Sequence, residues 1–510
     1  MTPLRSVLMV DSWVVFDGKG PAGRDGPAAE PRILLPGFLE YNSVPRAGLL
    51  PWLTPPLPDF GENSMTRELK EPEDLGVEQM ARRARSAAWR LAALTTGVKD
   101  RAVAAVRENL ERRRDDILAA NREDRRDAEV EVSAGRLSAA LARRLDLEGT
   151  KFDAMLQGLD DLLGLPDPVG QVTLARRLDE GLDLYRVTCP IGVIGVIFES
   201  RPEAAVQIAS LALKSSNAVI LKGGREARRS NQALISAVRE ALKTVPQFPV
   251  DAVQLVLTRE EVRALLDLDE WVDLIIPRGS GELVRSIQES TRIPVLGHAD
   301  GICAVYLDRA ADPRKAVRVT IDSKVQYPAV CNAAETLLVD EPLVESLLPE
   351  IGRALVDAGV EIRADDRSRP HLPGAVAAAE DDFETEFLDL VLAVKVVSSV
   401  EEAVEHINRH GSHHTDAIVT EDRQAAEYFL SRVDSAGVFH NASTRFADGF
   451  RYGLGAEVGV STSKTHARGP VGLEGLVIYK YRLHGDGQGV AAYGPGKKAF
   501  LHEPLEPRLP

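Results

Sequence analysis

From Ile191 to Leu307 the chain repeats one pattern: a short apolar run, a turn marked by glycine or proline, then an amphipathic segment of helical length. Ile191–Phe198 reads as the first strand, Glu203–Leu213 as the helix after it, Ala218–Leu221 as the next strand and Ser230–Leu242 as the next helix. Asp251–Leu257, Glu260–Leu268, Val272–Ile276, Gly279–Ser290, Pro294–Leu296 and Ile302–Leu307 continue the alternation. Strands without a polar face need cover on both sides, so this order predicts an α/β fold with a mainly parallel sheet between helices. A ligand of such a sheet is expected beyond the carboxyl ends of its strands.

The flanks differ in texture. Residues 1–64 carry ten of the thirty prolines and two of the four tryptophans, with almost no helical periodicity. Proline cannot donate to a helix or a central strand, so this stretch predicts a poorly ordered extension that can be deleted without loss of activity. From Met65 the chain turns to charged helices; Asp100–Ala120 sets Val103, Val106, Leu110 and Ile117 near one face and turns Arg112 to Asp115 to solvent. Gly485–Pro510 reads as an extended tail.

With 44% hydrophobic residues the chain can bury a sizeable core, and no apolar stretch reaches membrane-spanning length. The net charge of −15 speaks against generic nucleic-acid binding. Three cysteines without a CxxC pair point to a reducing, cytoplasmic setting and suggest no metal site. Cys189 and Cys303 sit in strand-like runs. Cys331 lies instead in the small-residue break Tyr327-Pro328-Ala329-Val330-Cys331-Asn332, ahead of the apolar run Thr336–Val339, where a thiol can be exposed enough to act as a nucleophile.

Two glycine-bearing turns end predicted strands, and neither is GxGxxG. Pro277-Arg278-Gly279-Ser280-Gly281 opens a helix whose first amides can face a phosphate. Lys222-Gly223-Gly224-Arg225 is an equally short turn with two cations.

Several of these stretches, taken in order, resemble the aldehyde dehydrogenase superfamily and, within it, the gamma-glutamyl phosphate reductase family. The resemblance runs from about Met65 to about Tyr481. It is carried by Gly192 to Glu203 (GVIGVIFESRPE), Gln326 to Asn332 (QYPAVCN), Asn441 to Phe446 (NASTRF), Gly453 to Gly459 (GLGAEVG) and Lys464 to Pro470 (KTHARGP). It implies a Rossmann-type cofactor domain over 65–301, interrupted by an arm strand at about 173–189. A catalytic domain follows over 302–470, part of it returning to the cofactor domain, and then an oligomerisation arm over 471–484.

The resemblance implies reduction of L-glutamyl 5-phosphate by NADPH to L-glutamate 5-semialdehyde, the second step from glutamate to proline. Cys331 is the implied nucleophile, with Arg201 and Asn332 beside it. Lys222, Gly223, Arg225, Gly279, Ser280, Gly281 and Glu386 are expected to hold NADP, with Arg225 placed where a cation meets the 2′-phosphate and a carboxylate would repel it. Ser443, Thr444, Arg445 and Glu457 are expected to hold the glutamyl carboxylate and ammonium. The only other implied partners are further copies of the chain, paired through Leu182–Cys189 and Leu476–Tyr481, and a glutamate 5-kinase supplying the labile acyl phosphate.

Aldehyde-oxidising relatives activate water with a glutamate whose place here falls within Leu296-Gly297-His298, at Gly297. No carboxylate stands there, and Asp300 is the nearest. A cysteine thioester without that base is directed to hydride rather than to hydrolysis. The rival reading, oxidation of a small aldehyde with NAD(P), is disfavoured on that ground and by Arg225.

Overall fold

A computed structural model describes residues 76–509; the expectations for residues 1–64 lie outside them. Five helices open this part: α1 (Val77–Leu91), α2 (Thr96–Arg112), α3 (Arg114–Ser133), α4 (Ala139–Arg144) and α5 (Thr150–Gly164). In α1 the residues Val77, Met80, Ala81, Ala84, Ala87, Ala88 and Leu91 fall on one buried stripe, as a 3.6-residue repeat requires.

The helix expected over Asp100–Ala120 is broken at Arg113, which leaves helical geometry at φ −95° and ψ 11°. The arginine run is not a free solvent face. Arg113 pairs with Glu240, while Arg114 pairs with Asp153 and lies over the Phe152 ring. The break turns these cations onto neighbouring helices.

Strands β1 (Val172–Asp179) and β2 (Leu182–Pro190) form a hairpin, and the predicted alternation follows. In chain order come β3 (Val193–Phe198), α6 (Pro202–Lys214), β4 (Ala218–Lys222), α7 (Arg228–Lys243), β5 (Val253–Leu255), α8 (Arg259–Leu266), β6 (Leu274–Arg278) and α9 (Gly281–Ser290). These four strands pair in parallel in the order β5-β4-β3-β6, and Val295 bridges to Ile275 beyond β6. The chain runs outward from β3 to β5 and then returns to the other side of β3. The point where strand order reverses, between β3 and β6, opens a crevice at their carboxyl ends.

The second half holds β7 (Cys303–Leu307), α10 (Pro313–Val325), β8 (Ala334–Asp340), α11 (Leu348–Asp357), β9 (Glu361–Ala364), β10 (Val376–Ala377), β11 (Val391–Val397), α12 (Val400–His410), β12 (Thr415–Val419), α13 (Arg423–Arg432) and β13 (Gly437–His440). These seven strands make a parallel sheet in the order β10-β9-β11-β8-β7-β12-β13. Val305, Leu307, Leu337 and Val339 enter one apolar cluster, and Ala304, Tyr306 and Leu338 enter another. Alternate residues of one strand face opposite sides, so the sheet is covered on both faces.

After β13 the chain goes back to the first sheet. Ala456, Val458, Val471, Leu473 and Leu476 join the apolar cluster that also contains β3, β4 and β6. Short strands β14 (Gly459–Ser461) and β15 (Gly469–Val471) pair there, and β16 (Val477–His484) then adds to β2 over its whole length. The tail is extended as predicted but not free. Its strand β17 (Glu503–Pro504) pairs with β1, giving a sheet in the order β16-β2-β1-β17, and Leu505 and Leu509 pack on Ala175, Tyr185 and Val187.

Candidate active site

Cys331 lies in the loop between α10 and β8, at the amino edge of the second sheet. Gly301 before β7, Glu386 ahead of β11 and His414 before β12 stand at the same edge. The carboxyl strand ends of the first sheet carry Arg201, Lys222 and Arg278, the end at which a ligand is expected. That expectation does not describe the second sheet, where the thiol is at the opposite end of the strands.

Local packing shapes the loop. A Cβ on Gly301 would lie 2.1 Å from the Cys331 carbonyl oxygen and 2.5 Å from its Cβ, so only glycine allows this approach. The buried Cys303 thiol donates to the Cys331 carbonyl at 3.2 Å, and burial pushes the Cys303 pKa well up, as expected of a structural cysteine. Among the described residues the Cys331 amide donates no hydrogen bond, which leaves it available to a developing oxyanion.

Asn332 differs from expectation. Its Nδ2 donates to the Ala447 carbonyl at 2.7 Å and its Oδ1 is buried without a partner. The side chain therefore ties the loop to residue 447, turned away from the reacting face. Ser443 and Thr444 are also turned away: Ser323 Oγ on α10 donates to Ser443 Oγ and accepts the Thr444 amide, and both residues are buried. The Ser443 hydroxyl belongs to the packing beneath the loop, and the Thr444 hydroxyl is buried without a partner among the described residues.

Cations remain around the thiol. Burial lowers the pKa of Arg278, Arg201 adds to that, and Glu457 and Cys331 oppose it. Burial also lowers Arg445, aided by Arg451 and opposed by Asp448 and Cys331, while its Nε donates to Gln326 at 3.0 Å. Arg201 sits at the start of α6 after Ser200, whose φ of 45° turns the chain sharply out of β3. Arg278 had a signal in the sequence, a cation ending an otherwise apolar strand, and the turn motif obscured it.

A Cβ on Gly297 would lie 3.3 Å from the Pro277 ring, and the position carries no acid. The next residue, His298, stands beside Cys331 instead. One donor atom each from His298, Cys331 and His414 lies within 4.8 Å of the others. His298 Nδ1 donates to the Val460 carbonyl at 2.8 Å, which leaves Nε2 as the unprotonated nitrogen of the neutral ring. Glu386 accepts the Gly301 amide; burial raises its pKa, and that hydrogen bond and His298 oppose the rise.

Apart from Glu386, the expected cofactor residues gather at the carboxyl ends of β4 and β6. Lys222 is half-buried, its pKa lowered by burial and supported by Glu226 and Glu199. A Cβ on Gly223 would strike Asn231 and one on Gly279 would strike Glu199, so both glycines admit a close backbone approach. The Ser280 amide donates to Glu199 and its hydroxyl caps Leu283, with Gly281 starting α9. Arg225 is exposed and makes no ion pair among the described residues, whereas Arg229 is held by Glu123, Asp124 and Asp127.

Glu457 accepts the Gly449 amide at 2.8 Å and stands 4.0 Å from Arg278. A second carboxylate, missed in the sequence, is less committed. Glu203 lines a cavity of about 290 Å3 together with Lys151, Met155, Gln207, Ser210 and Ala456. Its Oε2 and the Ser210 hydroxyl are buried without partners, and burial raises the Glu203 pKa against the pull of Arg201, Lys151 and Arg278.

The sequence model of the Aldehyde dehydrogenase family matches residues 62–372. The chain is 56% identical over 420 residues to "Gamma-glutamyl phosphate reductase" of Synechococcus sp. (strain JA-3-3Ab), covering 82% of this chain and 92% of that protein. A crystal structure of gamma-glutamyl phosphate reductase from Thermotoga maritima superposes with a TM-score of 0.78 at 41% identity, over 81% of this chain and 99% of that one. An acetylating aldehyde dehydrogenase from Geobacillus thermoglucosidasius shares the fold, with a TM-score of 0.56 at 20% identity over 81% of this chain and 97% of that one.

Proposed function

The chain belongs to the aldehyde dehydrogenase family, within its gamma-glutamyl phosphate reductases, and from that premise we propose that Cys331 carries an acyl-phosphate reduction. The reaction is the reduction of L-glutamyl 5-phosphate to L-glutamate 5-semialdehyde with release of phosphate, in proline biosynthesis. One observation above all supports the route through a thioester. Where an oxidising relative holds its water-activating carboxylate, this chain has Gly297, close under the Pro277 ring, followed by an imidazole beside the thiol.

In this reading His298 Nε2 takes the Cys331 proton and the thiolate attacks the acyl carbon. The bond from that carbon to the phosphate oxygen breaks, phosphate leaves with the electron pair, and a thioester remains on Cys331. The Cys331 amide meets the transient oxyanion, while Arg201 and Arg278 balance the charge of the departing phosphate. NADPH, held by Lys222, Gly223, Arg225 and the turn at Gly279, would supply a hydride to the thioester carbon. Collapse of the hemithioacetal breaks the carbon–sulfur bond and returns the thiolate.

The preference for NADP over NAD rests on Arg225, exposed and unpaired beside the half-buried Lys222. Gly223, Gly279, Ser280, Gly281 and Glu386 complete the cofactor residues. For the glutamyl group, Arg445 faces the carboxylate and Glu203 the ammonium, with Glu457 held by Gly449 and Arg278. Homo-oligomer formation is supported by β16, an edge strand whose outer side is unpaired and whose Tyr479, Tyr481 and Leu483 are exposed. A glutamate 5-kinase is the matching source of the labile acyl phosphate. A cytoplasmic setting agrees with three free cysteines and with the absence, among the described residues, of a helix long and apolar enough to cross a membrane.

Running the reaction backwards tests the reading. Glutamate semialdehyde, phosphate and NADP+ yield NADPH with the intact enzyme and none with Cys331→Ala, the loss being on the order of 10^4-fold or more for a missing nucleophile. Arsenate replaces phosphate. Free glutamate formed without phosphate or arsenate would instead mark an oxidising aldehyde dehydrogenase.

A further inference from the structure

The cysteine spacing suggests no metal ligands, yet folding brings three together. His298 arrives from the segment after β6, Cys331 from the loop before β8 and His414 from the start of β12, with donor atoms within 4.8 Å of one another. Both rings are oriented through Nδ1. His298 Nδ1 donates to the Val460 carbonyl at 2.8 Å, and His414 Nδ1 lies 3.0 Å from Thr415 Oγ1. Each ring therefore keeps Nε2 for a further partner, the arrangement by which metal-binding histidines are fixed in tautomer and direction.

His414 provides the independent indication. The residue is fully buried and its Nε2 has no hydrogen-bond partner among the described residues. A buried nitrogen left unpaired destabilises the fold, so a group that binds there relieves that cost. The two rings meet edge to face with centroids 5.0 Å apart.

We propose that His298, Cys331 and His414 form an inhibitory site for a thiophilic divalent cation, Zn2+ above all. One thiolate and two neutral imidazoles suit zinc and disfavour magnesium or calcium, which take oxygen ligands. Tetrahedral zinc with these ligands needs donors roughly 3.3–3.8 Å apart. The half-buried Cys331 and His298 close on the fixed His414 by about 1 Å to meet it. The Cys331 thiol loses its proton to solvent on binding, each histidine ligates through a ring nitrogen lone pair, and a water or the substrate carbonyl takes the fourth position. No electron is transferred, and a chelator reverses the binding. Loss of turnover on binding rests on Cys331 being the nucleophile; the binding itself does not.

Co2+ titrated into the chelator-stripped full chain tests the site directly. A thiolate-to-cobalt charge-transfer band is expected to saturate at one equivalent per chain and to be displaced by Zn2+. It disappears in Cys331→Ser, and its affinity falls by about tenfold or more in His298→Gln and in His414→Gln. Because His414 is buried and its variant can fail to fold, the half-exposed His298 gives the deciding measurement. No band, or a band of unchanged affinity in His298→Gln, overturns the proposal. Reductase turnover followed in the same titration is expected to fall with the rise of the band and to return with chelator. A band with full turnover would leave the metal site standing and remove Cys331 from the chemistry, while lost turnover without a band would refute the site.

Discussion

Lys324 and Glu335 meet in a fully buried ion pair of 2.5 Å, one in the last turn of α10 and the other at the second residue of β8. They bracket the loop that carries Cys331, so the pair fixes both ends of that loop against each other. Burial drives both towards their neutral forms, lowering the Lys324 pKa and raising that of Glu335 to about 7.

Removing one partner leaves the other buried and uncompensated, at a cost of about 3–5 kcal/mol. Lys324→Met is therefore expected to lower unfolding stability by that amount in urea. Lys324→Met combined with Glu335→Leu recovers most of it. Losses that simply add would show that the two side chains are not coupled.

Arg225 and Arg229 separate cofactor preference from stability. Arg225→Glu is expected to raise KM for NADPH about tenfold or more, because a charged hydrogen bond is worth about 1.5–3 kcal/mol. NADH kinetics change little. Arg229→Ala removes the contacts to Asp124 and Asp127 and acts on stability, leaving the ratio of NADPH to NADH turnover unchanged.

Glu203→Gln keeps the shape of the cavity and removes its uncommitted charge. KM for glutamyl phosphate is expected to rise about tenfold with KM for NADPH unchanged, again on the scale of one charged hydrogen bond. Equal shifts in both constants would place Glu203 in the packing.

Asp416 gives a pH dependence of known sign. Burial raises its pKa to about 7 against hydrogen bonds from Ser435 and the Ala304 amide. The folded state thus holds a proton that the unfolded chain releases near its ordinary 3.8. Its contribution to stability is fully present below that value and is lost as pH rises towards 7. Asp416→Asn is expected to flatten this decline, measured as the urea midpoint across the same window, and an unchanged slope would assign the decline to another group.

The parallel sheet around β3, β4 and β6 was legible because its strands are apolar throughout and its turns carry glycine and proline. Cys331 was legible because a thiol in a small-residue break is unlike one within a strand. The fates of Asn332, Ser443 and Thr444 were not: whether a short polar side chain meets ligand or backbone depends on Ala447 and Ser323, each more than a hundred residues away. The break at Arg113 was hidden for a similar reason, since its cation pairs with Glu240 on another helix.

By itself the amino-acid sequence determined the α/β class, the place of Cys331 in a small-residue break and the absence of a carboxylate at Gly297, all of which depend on residue type and on short-range periodicity. Tertiary structure alone decided that His298 and His414 stand beside Cys331, that Glu203 faces a cavity and that the tail returns to β1. These depend on the close approach of strand edges distant in sequence, which is set by how two sheets pack and not by any local pattern.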